Sequence, residues 1–200
     1  MARIARIETR TRHDVVIRTS THGITQPTQS SREPPLPDIR PIRRHTGPVA
    51  EAFAAAHADA EPLFVPAQVF ADDRGWSVFN QMAGVMSPQG QINYSVMYPG
   101  VIKAWHRHAK QTDFWMGGAG MLKVGVFRED DGQAWLGFLG EKTPGVLVIP
   151  CPLWHGCATV GHTPAGLIYY VDQTYDPKAP DEERRAHDSI AGFPWGVRHG

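Results

Sequence analysis

The chain has 200 residues, 42% of them hydrophobic, enough for one domain with a proper core and too few for two large ones. Twenty Lys and Arg balance twenty Asp and Glu, and the aromatics are not interleaved with basic runs, so neither a nucleic-acid surface nor an acidic polymer is implied; small molecules are the expected partners. No apolar run reaches membrane-spanning length and no charged-then-apolar leader opens the chain, which leads us to expect a soluble cytoplasmic protein without a membrane partner.

Residues 1 to 48 hold nine Arg against four acidic residues, cluster Pro and Ser, and show little apolar period, so they read as a flexible or loosely docked arm. "PVAEAFAAAHADAEP" (48 to 62) is Ala-rich and bounded by prolines, which predicts a short helix. Residues 1 to 62 thus form an N-terminal extension, and residues 63 to 200 the main domain. From Leu63 the texture changes to short runs such as "WSVFNQM", "QINYSVMY", "VIKAWHRH", "MLKVGVF", "GVLVIP" and "AGLIYYV", separated by Gly, Pro and Asp. That rhythm predicts an all-β sandwich or barrel rather than βαβ units. The closing "YDPKAPDEERRAHDS" loses the strand pattern and is expected to be a loop with a short helix. Cys151 and Cys157 are spaced so that a disulfide could form, but in a cytosolic chain two buried thiols are the better reading.

In a strand, residues i and i+2 share a face, so "VIKAWHRH" points His106 and His108 one way and Trp105 and Arg107 the other. An H-x-H pair is weak evidence by itself in a chain with ten His. Its setting strengthens it. Gly100, His106, His108, Asp113 and Gly120 make one spaced block, and "PCPLWH", ending in His155, makes a second.

These blocks resemble the two motifs of the cupin superfamily, with Asp113 where metal-binding cupins usually carry Glu and Pro152 where the second motif usually carries Gly. A finer resemblance joins "FADDRGWSVF", "QINYSVMYPGVIKAWHRHAKQTDFW", "GVLVIPCPLWHG" and the "PDE" tail: over residues 63 to 200 the chain is similar to a divergent branch of the dTDP-4-dehydrorhamnose 3,5-epimerase family. The resemblance implies a double-stranded β-helix (jelly-roll) fold, a homodimer, and a cofactor-free isomerase of deoxysugar biosynthesis acting on a nucleotide-linked 4-keto-6-deoxy sugar. By position it makes His106 the base and Tyr169 the acid. His155 becomes a donor to the keto oxygen, Lys103 and Arg74 the cations near the diphosphate, and Asn93 and Ser95 part of the pocket wall. His108 stands where the family usually has Gln, and Gln111 lies beside it among the substrate-binding residues. The family's carboxylate that orients the base has no counterpart before the chain ends, which leaves Asp113, then Asp172, to serve.

Two other readings stay open at this level. His106, His108, His155 and Asp113 or Gln111 could hold a divalent transition metal in a metal-dependent cupin enzyme working as an oxygenase, isomerase or lyase. A cupin that binds a small molecule without catalysis is the third.

Overall fold

The computed structural model describes residues 36–197. Among them the elements run β1 (Asp38–Pro41), β2 (Arg43–Arg44), α1 (Val49–Asp59), β3 (Leu63–Pro66), β4 (Val69–Asp72), β5 (Gly75–Val78), β6 (Gln91–Met97), β7 (Ile102–Arg107), β8 (Asp113–Gly117), β9 (Met121–Phe127), β10 (Gln133–Gly140), β11 (Gly145–Ile149), β12 (Trp154–Val160), β13 (Ala165–Val171) and β14 (Glu183–Arg184). They build two six-stranded sheets, in the orders β1-β10-β9-β12-β7-β14 and β2-β3-β11-β8-β13-β6, and a separate β4-β5 hairpin. The fold is all-β, as the strand rhythm predicts, and consistent with the jelly roll that the resemblance implies.

The period of two along each strand makes the layers. On β11, Leu147 and Ile149 enter the core between the sheets, while Val146 and Val148 face α1. On β8, Trp115 goes inward and Phe114 outward; on β13, Tyr169 packs inward and Tyr170 outward. The apolar run "GVLVI" is therefore buried on both faces, its outer face covered by Val49, Ala52 and Ala56 of the helix. Each such fully buried Val, Leu or Phe stabilises the fold by roughly 1.5–3 kcal/mol. The first sheet has its own outer cover, in which Trp105 and Trp154 pack with Ile190 and Phe193 of the C-terminal segment.

Within the described residues the arm, expected to be flexible or loosely docked, pairs with the sheets: β1 runs parallel to β10 and β2 parallel to β3, pairings made by backbone groups that need no apolar side-chain period. Residues 1–35 of the expected arm lie outside the described residues. The short helix expected within residues 175–189 does not form. Its amides serve a strand edge instead, Arg185 and Trp105 exchanging backbone hydrogen bonds of 2.9 Å each way, and Pro177 and Pro180 remove donors that a helix would need. Cys151 and Cys157 are free thiols, the second fully buried, and its pKa is pushed up to about 12 by that burial.

Candidate active site

The site lies between the edges of the two sheets. The chain crosses from β6 in one to β7 in the other through Pro99-Gly100, a turn closed by the Val101 amide on the Tyr98 carbonyl at 3.2 Å, with Gly100 at φ +79°. That dihedral suits a type II turn and excludes most side chains. β7 then presents His106 inward and Trp105 outward, as the alternation predicts. β12 pairs antiparallel to β7 with His155 directly opposite His106, which brings the two rings to 4.2 Å between centroids. A register shift follows between His155 and Cys157, a bulge next to the site.

From the other sheet, β8 contributes Asp113. Its carboxylate accepts the Trp115 indole N–H at 2.9 Å and the Gln111 amide at 2.7 Å. Asp113 Oδ2 lies 3.5 Å from His155 Nε2, and Oδ1 3.9 Å from His108 Nε2. His155 Nδ1 is hydrogen-bonded to the Leu153 carbonyl at 2.9 Å, and His108 Nδ1 to the Asp181 carbonyl. A carbonyl can only accept, so both Nδ1 atoms carry hydrogen and both Nε2 atoms turn towards the carboxylate. His155 Nε2 is buried with no closer partner. The centre therefore has a surplus of acceptors, which a proton, a donating substrate group or a cation would satisfy.

The electrostatics follow from this crowding. Burial alone would raise the Asp113 carboxyl, but the hydrogen bond and charge of His155, with His108 and the Gln111 amide, outweigh it and hold the group well below the usual carboxylate range. Burial and then the neighbouring His155 charge push His106 well below its ordinary value, leaving its imidazole neutral at pH 7. Tyr169 is moved up by burial and by Asp113 and Glu182, so its hydroxyl keeps its proton.

Around this centre opens a cavity of about 1050 Å³, at the upper end of what a small-molecule site occupies. Its wall includes His106, His108, Asp113 and Gln111, and Asn93, Ser95, Lys103 and Tyr169 on the flanking strands. Lys103 Nζ donates to Ser95 Oγ at 2.7 Å across the mouth. His155 closes the centre from behind.

Two sequence expectations meet a different geometry. Arg74 is not brought to this cavity: it sits on the turn of the β4-β5 hairpin, 85% exposed along its side chain and paired with Asp72. Among the described residues the hairpin's two strands pair with each other and make no ladder with either large sheet. Asp113 enters the site but faces His155 and His108, and among the described residues no carboxylate pairs with His106. Asp172 accepts the Thr112 amide at 2.8 Å and braces the start of β8. The "PDE" segment and the residues after it carry no role predicted from sequence, yet Asp181, Glu182 and Arg184 all line the cavity. The metal alternative finds its four residues together, with one donor atom from each of His106, His108, Asp113 and His155 within 4.8 Å of the others.

No family model matches the chain. It is 37% identical over 134 residues to the spore coat polysaccharide biosynthesis protein SpsL of Bacillus subtilis, a match spanning 63% of this chain and 89% of that protein. To the probable low-salt glycan biosynthesis epimerase Agl13 of Haloferax volcanii it is 41% identical over 101 residues, 48% of this chain and 65% of that one. Among solved structures, a dTDP sugar isomerase from Desulfovibrio desulfuricans superposes with a TM-score of 0.59 at 24% identity, covering 67% of this chain and 90% of the other, and so shares the fold. With 37% identity over 89% of the length of SpsL, the chain belongs to one family with that spore coat polysaccharide biosynthesis protein, and its fold is the one shared with the dTDP sugar isomerase.

Proposed function

We propose that the chain is an isomerase acting on a nucleotide-linked 4-keto-6-deoxy sugar, inverting carbon 3, carbon 5 or both by proton abstraction next to the ketone. The observation that carries this reading is that His106 and Tyr169 reach one cavity from facing sheets. The ketone acidifies the neighbouring C–H bonds, and inversion needs a base on one face of the sugar and an acid on the other. His106, neutral through burial and adjacent charge, takes the proton. Tyr169, still protonated, returns one from the opposite side. The enolate oxygen requires a donor in a water-poor pocket. His155 has only Nε2 to offer, since Nδ1–H is held by Leu153, so it serves that oxygen in the form that carries a second hydrogen on Nε2, with the Asp113 carboxylate beside it as counter-charge. Lys103, Asn93, Ser95, His108 and Gln111 bind the remainder of the substrate. A homodimer in the cytoplasm belongs to the same reading, with the exposed row Ile92, Tyr94 and Val96 on β6 available to a second copy.

The test is solvent exchange. In D2O the protein should place deuterium beside the ketone of dTDP-4-keto-6-deoxyglucose, read by NMR or mass spectrometry, with and without chelator. His106→Ala should reduce that exchange by a factor of about a thousand or more, the order of a general-base contribution. A wild-type protein that exchanges nothing would sink the reading.

The four-residue cluster favours one alternative. A divalent metal fits the donor set, because the inward Nε2 atoms of His108 and His155 are backed by Nδ1–H bonds to carbonyls, the usual support of a metal-bound imidazole. His106, His108, His155 and Asp113 would hold it, and it would supply Lewis-acid polarisation of a substrate oxygen. Their spread of up to 4.8 Å is wider than the roughly 3.4 Å between tetrahedral ligands at ~2.1 Å from zinc, so these side chains would close inward. Exchange that vanishes with chelator and returns with metal, together with His108→Ala as damaging as His106→Ala, would select it.

A further inference from the structure

The loop between His108 and Asp113 carries both partners of Asp113 Oδ1, yet much of it is exposed: Ala109 and Lys110 face solvent. What fixes it comes from 70 to 73 positions later in the chain. Asp181 Oδ1 accepts the Ala109 amide at 3.0 Å, and Oδ2 accepts the amides of Lys110 at 2.9 Å and Gln111 at 3.2 Å. Its main-chain carbonyl accepts from His108 Nδ1. One residue thus engages four consecutive positions, 108 to 111. Successive amides converging on one carboxylate form an anion nest, and such charge-assisted bonds are stronger than neutral ones.

The consequence reaches the buried centre. With Nδ1–H given to the Asp181 carbonyl, His108 is held in one ring orientation, its Nε2 turned to Asp113 Oδ1 at 3.9 Å. With its backbone amide held by the same residue, Gln111 keeps its side-chain amide 2.7 Å from that oxygen. We infer that Asp181 is a positioning residue that sets the tautomer of His108 and the placement of Gln111, and through them the orientation of Asp113 in the proton-transfer centre. Its kinetic part rests on the proposed isomerase reading; the tautomer assignment does not.

The experiment uses the full chain labelled with 15N-histidine. Long-range 1H–15N correlation, with His108→Gln used for assignment, should find wild-type His108 protonated at Nδ1 and pyridine-like at Nε2. The opposite tautomer overturns the inference without reference to activity. Asp181→Ala keeps the main-chain carbonyl but loses the three amide bonds that seat it against the loop; checked for folding by circular dichroism, it should show a mixed His108 tautomer, faster amide exchange at Ala109 and Lys110, and a kcat roughly ten- to a hundredfold lower with KM nearly unchanged. Asp181→Asn, which keeps one side-chain acceptor oxygen for the loop amides, should regain much of that loss. A folded Asp181→Ala with wild-type kcat, or with reduced kcat and an unaltered His108 signature, also overturns it. If Asp181→Ala does not fold, the wild-type tautomer decides. If the wild-type chain shows no turnover, the isomerase reading fails while the tautomer measurement still gives its own answer.

Discussion

The two ends of the cavity are built differently. At the inner end His155 and Asp113 are buried and His106 is half-buried; both rings pack against Trp115, whose indole N–H Asp113 accepts, and the Leu153 carbonyl holds His155. At the outer end Gln91, Asn93, Ser95 and Lys103 line an open mouth, where Lys103 donates to Ser95 Oγ and Gln91 to the Gln173 carbonyl at 3.5 Å. The contrast separates two tasks. Charges that must act on a transition state profit from a fixed, desolvated setting, whereas groups that grip the remainder of a ligand can adjust when it arrives. Inner substitutions should therefore lower kcat and cost stability, and outer ones should raise KM.

The largest effect is expected at Asp113. Asp113→Ala leaves two imidazoles facing one another in a buried space without their counter-charge, and should destabilise the fold by roughly 3–5 kcal/mol, read by urea denaturation, along with loss of exchange activity. The pH dependence has the matching sign. Because the folded carboxyl is held below its ordinary value, its stabilising contribution is complete above the usual carboxylate range and disappears as pH falls through the folded pKa. Wild-type stability should therefore drop in acid more steeply than that of Asp113→Asn. Equal acid profiles would show that the inner end is not electrostatically held.

Tyr169→Phe should come next. Removing the acid leaves abstraction and return on the His106 face, so deuterium exchange should persist while epimer formation falls by about a hundredfold or more. Epimer formed at the wild-type rate would remove Tyr169 from the chemistry. The smallest effect is expected at the mouth. Lys103→Ala loses one cation and its bond to Ser95, and should raise KM by roughly fivefold with kcat within twofold, since an exposed polar contact is worth about 1 kcal/mol. A fall in kcat as deep as that of Tyr169→Phe would erase the proposed division between the ends.

Much of this architecture was legible beforehand, and particular residues show why. His106 and His108 share a face because a strand alternates, which is a local property. "GVLVIP" read as a buried strand because every position is apolar. By contrast, β14 is a pair of exposed, charged residues, Glu183 and Arg184, with no apolar period to mark it; only the open edge of β7 makes it a strand. β1 and β2 escaped notice for the same reason. The placement of Arg74 away from the cavity depends on a hairpin that pairs with itself, which no local pattern announces.

By itself the sequence determined the alternation of faces, the breaks between strands and the set of residues able to carry the chemistry, because these depend on side-chain type and near-neighbour spacing. The tertiary structure alone decided that Asp113 serves His155 and His108 rather than His106, that His155 stands opposite His106, and that Asp181 holds the loop between β7 and β8. Those facts rest on register between strands and on contacts across dozens of residues. A cross-strand pairing or a hydrogen bond at 3 Å depends on how the folded chain closes, and no short window of residues contains that information.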